Sequence, residues 1–401
     1  MAWLAWLAFI ASTIVLVLLS KKNLPLALLV AAVMLGAFTV PVLGIVDGFA
    51  RAFFSPANIC LGAGMALIPV IGNMLEDSGH LGAVVRNARM SKAAFSTVAP
   101  SLVGLLPVPG GALISAPLID KTGGDAVTPA AKCALNVWFR HVLYLVYPVN
   151  AVILVSTTIA GVNVYVSILY LLPFFAASML AGYWFFLRDL KGRLQPVDSS
   201  SKRKAIEALV VLGVTPAVDI ALRTTFPAVG IHVENLSLVI ATSASLVLAW
   251  YWGRYSPRGA RKVILKAKPW HFYLFIVFMF FYLNVFLASG ITSLIARYSL
   301  DKFTLLVVIG FALGFITGRV QVPETIVIPI YLTTFSIASM SPLAFAIGYF
   351  CVHLGYLNSP VHPCLSVTLV YFKTTFVDTL KRMLPPTLVC LAVAVAFTFL
   401  A

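Results

Sequence analysis

Charged side chains are scarce in this sequence. They account for 10% of its 401 residues, and only 13 residues are acidic. A soluble domain carries about 25% charged residues, so most of this protein's surface faces something other than water. Hydrophobic residues make up 61% of the chain, and no polar stretch is long enough to form a separate soluble domain. The composition therefore predicts an integral membrane protein.

Sequence signatures of catalysis are also missing. The chain contains no HExxH, GxSxG, Walker A or kinase motif, which argues against an enzyme and against ATP-driven transport within this chain. The five cysteines form no CxxC pair and lie in apolar stretches, so we interpret them as small packing residues. We predict no cofactor and no bound metal. An intramembrane metalloenzyme using His141, His353 and His362 is the weakest alternative, because acidic ligands are sparse.

Apolar runs of about 20 residues are the length that an α-helix needs to cross a bilayer. The first run lacks the positive start and the cleavage site of a signal peptide, so we interpret it as a membrane helix as well. The predicted spans are 2–20, 24–46, 57–76, 129–158, 161–187, 205–225, 235–253, 269–290, 342–371 and 385–401.

Two further apolar segments, residues 93–119 and 303–335, are interrupted near the middle by proline and glycine. Each arm has about 10–15 residues, which is too short to span and is typical of a re-entrant hairpin. Backbone that is not helical is tolerated at membrane depth only inside protein or beside a wet cavity. The two hairpin tips therefore indicate a site.

The distribution of basic residues predicts the orientation. The net charge is +15, and if both hairpins return to their own side, 21 of the 28 Lys and Arg residues lie on one face and 4 on the other. Such an asymmetry marks the cytoplasmic face of a multi-pass protein of the plasma membrane. It accounts for the basic charge without nucleic-acid binding, and it places both termini outside.

The chain also contains an internal repeat with an offset of 211–212 residues. The matching positions are HVLYLVYPV at 141–149 and HLGYLNSPV at 353–361, Pro117 and Pro329, and the Ser-Gly pairs at 78–79 and 289–290.

The repeat predicts an all-α polytopic membrane protein made of residues 1–187 and 205–401, joined by the basic cytoplasmic linker 188–204. Each half has five spans, one re-entrant hairpin and one broken helix. Because five crossings is an odd number, the second half is inverted in the membrane. Interrupted helices at matching positions of inverted repeats point to the binding site of a transporter.

The tip of the first hairpin contains Pro109, Gly110 and Gly111, and Ser115 follows one turn into the second arm. Proline breaks the helix, and glycine lets a ligand approach the backbone. The N-terminus of the second arm favours an anion. We therefore interpret these four residues as substrate ligands; the alternative is a kinked packing helix without a ligand.

The tip of the second hairpin is charged. It contains Arg319 and Glu324, with Gln321 and Thr325 as further polar candidates. Charges at membrane depth are costly and usually functional. Arg319 would bind a carboxylate as a planar fork, and Glu324 would carry a coupling proton. Alternatively, these two charges simply pair with each other.

The two broken spans contain the densest polar groups. Each proline frees a backbone carbonyl that can bind Na⁺ or a substrate. Histidines at matched repeat positions favour a functional role, although histidines that each pin their own hairpin would give the same pattern. The candidate substrate ligands here are Arg140, His141, Asn150, Asn358, Ser359 and His362, and the coupling-ion candidates are His141 and His353.

Three motifs, VPGGALISAPLID, NVWFRHVLYLVYPVN and GYLNSPVHP, resemble the ion transporter superfamily over nearly the whole chain. The closest resemblance is to a branch known only as a domain of unknown function, related more distantly to gluconate permeases. The dicarboxylate branch has Ser-Asn-Thr at its hairpin tips, whereas this sequence has Pro-Gly-Gly at one tip and Val-Pro-Glu-Thr at the other. That difference argues against Na⁺ coupling of the dicarboxylate kind.

The resemblance implies a homodimer that works as an elevator. Residues 1–56 and 205–268 would form the scaffold, and residues 57–187 and 269–401 would form the mobile transport part. Members of the superfamily carry mostly carboxylates and other anions, coupled to H⁺ or Na⁺, and some exchange Na⁺ for H⁺.

Together these observations predict a secondary active transporter of a small organic anion, coupled to H⁺ or Na⁺ and embedded in the lipid bilayer. The alternative is a monovalent cation/proton antiporter, in which Glu324 and the histidines titrate and no organic solute binds.

The predicted orientation is testable by single-cysteine labelling in a variant that lacks the native thiols. A cysteine at residue 200, in the linker, is expected to react with a membrane-impermeant reagent only after the cells are opened. Labelling of this residue from outside intact cells would contradict the orientation.

Overall fold

A computed structural model describes residues 2–87, 90–105, 111–124, 127–193, 202–298 and 300–400. These residues are almost entirely helical, and the one β-type contact among them is a single bridge between Ser91 and Arg193. Seven helices in the described ranges are long and apolar enough to cross a membrane. The chain is therefore an all-α polytopic membrane protein, as the composition predicts.

The helices divide into two compact units. The first unit comprises residues 1–84 and 201–299. Its helices are α1 (Ala2–Ser20), α2 (Leu24–Thr39), α3 (Val42–Phe54), α4 (Pro56–Asp77), α5 (His80–Asn87, which crosses the unit boundary), α11 (Lys202–Thr225), α12 (Leu236–Gly253), α13 (Pro257–Ala267), α14 (Pro269–Ala288) and α15 (Ile291–Ala296).

The second unit comprises residues 85–200 and 300–401. Its helices are α6 (Lys92–Gly104), α7 (Gly111–Gly123), α8 (Pro129–Val142), α9 (Ala151–Ala160), α10 (Val164–Gly182), α16 (Gly310–Thr317), α17 (Gln321–Thr334), α18 (Pro342–Leu357), α19 (Pro363–Phe372) and α20 (Phe376–Thr398).

The unit boundary differs from the division drawn on the sequence. That division began the transport parts at residues 57 and 269, but the structure groups α4 and α14 with the first unit. Small residues explain this packing. A β-carbon on Gly62 would lie 2.9 Å from the Tyr273 ring, and one on Gly64 would lie 2.8 Å from Leu238. Glycine at both positions lets α4 pack closely against α14 and α12.

Two predicted spans have different ends in the structure. The span 24–46 divides, because α2 ends at Thr39 and Pro41 caps a separate amphipathic helix, α3. The last span begins at Phe376 rather than 385, since α20 accommodates Pro385 and Pro386 inside the helix. A proline within a helix removes one hydrogen bond and often kinks the helix without ending it.

Pairs of short helices occupy the positions of the predicted hairpins and broken spans. α6 and α7 form the first pair. In the second pair, a π-helical turn at Thr304–Ile309 continues into α16, and α17 follows. The span 129–158 breaks between α8 and α9, and the span 342–371 breaks between α18 and α19. Both breaks lie in the second unit, which thus contains both broken spans and both pairs of short helices at the predicted hairpins.

Glycines let the first helix of each hairpin approach a broken span closely. A β-carbon on Gly104 of α6 would overlap the backbone oxygen of Arg140, and one on Gly314 of α16 would overlap that of Val352. The two oxygens are 212 residues apart, which is the offset of the repeat. The Ser-Gly pairs behave alike, since Gly79 and Gly290 both have positive φ, +75° and +71°. These matched details support an internal repeat, while its inverted arrangement stays a prediction.

The contact between α16 and α18 gives a stability prediction. A β-carbon at Gly355 of α18 would overlap the backbone oxygen of Phe311, so Gly355→Ala must push the two helices apart. Overpacking of this kind costs about 1–3 kcal/mol. We expect a lower melting temperature for Gly355→Ala in detergent.

Gly213→Ala is the matched control for this prediction. Gly213 also lies inside a helix, α11, but a β-carbon there would meet no atom within 4 Å. Its replacement is expected to leave stability unchanged or to raise it by up to about 1 kcal/mol. Equal melting temperatures for the two variants would contradict the close contact.

Candidate functional site

The end of α8 brings two candidate residues into the core of the second unit. Thr128 caps the N-terminus of α8, and Pro129 occupies its first position, where a missing N–H costs nothing. The helix ends at Val142, just before a 3₁₀ turn and Pro148. Its last turn places Arg140 and His141 in the interior, 4% and 0% exposed.

Five aromatic rings form a cluster at the two breaks. The ring centroid of His141 lies 4.7 Å from that of His362, 5.1 Å from Tyr144 and 5.2 Å from Tyr356. Tyr356 and His362 are 4.0 Å apart, and His353 lies 6.2 Å from Tyr356. Three of these five residues come from the second half of the chain, so the site depends on both halves.

Arg140 is a buried cation without a counter-charge. Its guanidinium makes no hydrogen bond and no ion pair in the described part of the chain, and its Nη1 atom is fully buried. It lies close enough to His141, His362 and Tyr356 to interact with them electrostatically. An unpaired buried charge costs several kcal/mol, so an anion that binds beside Arg140 would be stabilised.

A second guanidinium lies at the same cluster. Arg319, between α16 and α17, interacts electrostatically with Tyr356 and His362. Gly318 makes this approach possible, because its φ is +60° and a β-carbon there would lie 2.8 Å from the carbonyl carbon of Val361, beside the α18–α19 break. The tip of the second pair of helices is therefore held against the broken span.

Glu324 is a buried acid without a partner. The carboxyl is 2% exposed, and within the described residues it forms no hydrogen bond and no ion pair. The suggested pairing of Glu324 with Arg319 is therefore not found. Tyr349 lies close enough to Glu324 for an electrostatic interaction, and its hydroxyl donates a hydrogen bond of 3.1 Å to the Tyr144 carbonyl. Tyr349 is thus bonded to the ring cluster and lies within electrostatic reach of Glu324.

Several polar candidates bond to backbone near their own helix ends. Asn150 caps α9 by accepting from the Val152 N–H at 2.8 Å. Ser359 accepts from the Val361 N–H at 3.3 Å, and Thr325 donates to the Val322 carbonyl at 2.8 Å.

Two further candidates donate hydrogen bonds from buried positions. Ser115 is fully buried and donates to the Ala112 carbonyl at 3.3 Å. Asn358 donates to Thr387 of α20 at 2.9 Å, which fixes the end of α18. Gln321 is half-buried at the first position of α17.

The tip of the first hairpin is only partly described. Gly111 begins α7, whereas Pro109 and Gly110 lie outside the described residues. Lys132, the third basic residue within a span, forms an ion pair of 2.6 Å with Asp120 and is not part of the cluster.

Sequence reasoning left four residues of this region without a role. Tyr144, Tyr356 and Tyr349 complete the ring cluster and its link to Glu324. Cys364 places its sulfur within 4.8 Å of a nitrogen of His141 and of His362. Tyr144 and Tyr356 occupy matched positions of the repeat, so the sequence could have identified them. The sequence could not have identified Cys364, because its contact depends on the turn at Pro363.

The fold is similar to that of a membrane transporter of known structure. The crystal structure of the Alcanivorax borkumensis YdaH transporter, described as having an unusual topology, superposes with a TM-score of 0.63. The match covers 96% of this chain and 97% of that one at 16% sequence identity, so it shows the fold alone.

The chain belongs to the family described as "Protein of unknown function (DUF401)", whose model matches residues 3–400. No curated protein matches the sequence. The predicted membership of a family of unknown function is confirmed, while its place in the ion transporter superfamily stays a prediction. The relation to gluconate permeases stays a prediction.

The hydrogen bond between Asn358 and Thr387 gives a prediction for the α18–α19 break. Thr387→Val keeps the shape of the side chain but leaves a buried amide N–H without an acceptor, which costs about 1–3 kcal/mol. We expect a lower melting temperature of the purified protein.

Thr379→Val is the control, because Thr379 is equally buried on α20 and its hydroxyl pairs with no nitrogen or oxygen among the described residues. A Thr387→Val variant as stable as Thr379→Val would show that Asn358 does not depend on α20.

Proposed function

We propose that this protein is a secondary active transporter of a small organic anion that carries a carboxylate. The observation that carries the proposal is the Arg140 guanidinium, which is 4% exposed and has no counter-charge in the described structure. A buried cation of this kind is stabilised when an anion binds. A planar guanidinium recognises a carboxylate through two parallel hydrogen bonds.

The surroundings of Arg140 support an anion rather than a cation as the solute. Arg319 and Arg140 both lie within electrostatic reach of His362 and Tyr356. The buried acid Glu324 forms no ion pair with either arginine. The ring faces would pack against the carbon skeleton of the solute, and the guanidinium groups would hold its charged end.

Coupling would use Glu324. A carboxylate buried without a partner is costly, so Glu324 would bind a proton. If this proton bound from one side of the membrane and left on the other, solute movement would be linked to the proton gradient. Na⁺ bound by carbonyls freed at the helix breaks is the other possible coupling ion.

The remaining features of the proposal come from the sequence. The superfamily resemblance suggests a homodimer with elevator-type alternating access, and the basic loops suggest the plasma membrane with both termini outside. The second unit, which contains both broken spans and both predicted hairpins, would be the moving part.

The alternative function is a monovalent cation/proton antiporter, and the unpaired Glu324 carboxyl favours it. The variant Glu324→Gln separates the two functions. In the anion transporter it is expected to abolish accumulation driven by a pH gradient but to leave exchange of labelled solute for unlabelled solute. In the antiporter no carboxylate is taken up, and the variant loses Na⁺/H⁺ exchange.

The anion proposal is tested by proteoliposome uptake of labelled gluconate, lactate, succinate and citrate. For the solute that is taken up, Arg140→Gln is expected to lower the rate at least tenfold, since a lost charge-assisted hydrogen bond is worth about 1.5–3 kcal/mol. Arg140→Lys should also be poor, because an ammonium is not a planar fork.

Arg51→Gln is the matched control. Arg51 lies in the first unit, is 65% exposed and already pairs with Asp47, so its loss should leave uptake unchanged. Wild-type rates for both Arg140 variants would overturn the assignment of the anion to Arg140. If no carboxylate enters the liposomes while Na⁺/H⁺ exchange occurs, the antiporter is the correct function.

A further inference from the structure

Two histidines and a cysteine converge beside the ring cluster. The ligating atoms of His141, His362 and Cys364 all lie within 4.8 Å of one another. His141 comes from the end of α8, while His362 caps α19 and Cys364 is its second residue. Three soft or borderline ligands from both halves of the chain thus face a common point.

The tautomer of His141 leaves one of its ring nitrogens able to bind a metal ion. Its Nδ1 lies 2.8 Å from the Val137 carbonyl oxygen, which can only accept, so Nδ1 carries the proton and donates it. The fully buried Nε2 then holds a free lone pair and has no hydrogen-bond partner in the described chain. Donation of one ring N–H to a backbone carbonyl is the usual arrangement of a histidine whose other nitrogen binds a metal.

The other two ligands are also free to bind. A contact with the Leu357 carbonyl engages at most one ring nitrogen of His362, and the other nitrogen is buried without a partner. Cys364 is a half-buried free thiol. Metal bonds of about 2.0 Å to nitrogen and 2.3 Å to sulfur would require the ligand atoms to approach one another by roughly 1 Å.

The two nearby arginines favour a metal ion that leaves the site without a net positive charge. Arg140 and Arg319 both interact with His362, so a site that keeps a positive charge is disfavoured. A monovalent ion bound by one thiolate and two neutral imidazoles has no net charge, whereas a divalent ion would keep one positive charge. Thiolate also selects soft ions such as Cu⁺.

We propose that His141, His362 and Cys364 form a binding site for a soft monovalent metal ion, with Cu⁺ as the ion that fits best. On binding, the Cys364 thiol releases its proton to solvent, its sulfur bonds to the metal, and no atom is oxidised or reduced. The site adjoins the rings at which the anion is proposed to bind, so the metal and the anion would exclude each other. The metal site itself does not depend on the anion proposal.

The test is an anaerobic titration of the purified full-length protein with Cu⁺, in competition with the chelator bathocuproine disulfonate and without any organic solute. One Cu⁺ per protomer is expected. X-ray absorption of the loaded protein should show one sulfur and two nitrogen neighbours. A metal without a sulfur neighbour, or no retention against the chelator, would overturn the site even if every variant failed to fold.

Cys364→Ser is expected to lower the affinity at least about 100-fold and to remove the sulfur neighbour, and His362→Gln is expected to weaken binding similarly. The matched control is Cys60→Ser, since Cys60 is also half-buried and free but lies on α4 of the first unit. Cys60→Ser should bind one Cu⁺ as the wild type does. Equal affinities of Cys364→Ser and Cys60→Ser would show that the metal binds elsewhere.

Discussion

The buried and unpaired guanidinium of Arg140 is the constraint on which the rest of the second unit depends. A cation in an apolar interior is unfavourable by several kcal/mol unless an anion or a dipole compensates it. The helix that holds it, α8, breaks immediately afterwards, and the break of α18 brings Tyr356 and His362 to the same place. A buried cation without a counter-charge among the described residues is stabilised when an anion binds beside it.

Close packing at glycine makes the placement of this charge possible. Gly104 lets α6 lie directly on the backbone of Arg140, and Gly314 lets α16 lie on Val352 in the same way. The helices therefore meet at these points without room for a side chain. Glu324 forms no ion pair with either arginine, so the buried acid and the buried cation do not neutralise each other. That separation suits a transporter in which solute and coupling ion bind at different atoms.

The sequence predicted much of the fold because hydrophobic length and helix breakers act locally. Runs of about 20 apolar residues identified the spans, and proline with glycine identified the four interrupted segments. The errors were also local in origin. Pro41 ended a helix that hydropathy alone continued, whereas Pro385 did not end one, because a proline stops a helix only when its neighbours do not compensate the lost hydrogen bond.

The sequence by itself determined the class of protein, the membrane spans and the matched histidines, since these follow from composition, periodicity and residue identity. Only the tertiary structure decided which polar groups meet. It showed that Arg319 does not pair with Glu324, that Asn150 serves as a helix cap, and that Cys364 joins two histidines. Such contacts join residues that are distant in the chain, and their distances depend on how closely whole helices approach, which no local pattern encodes.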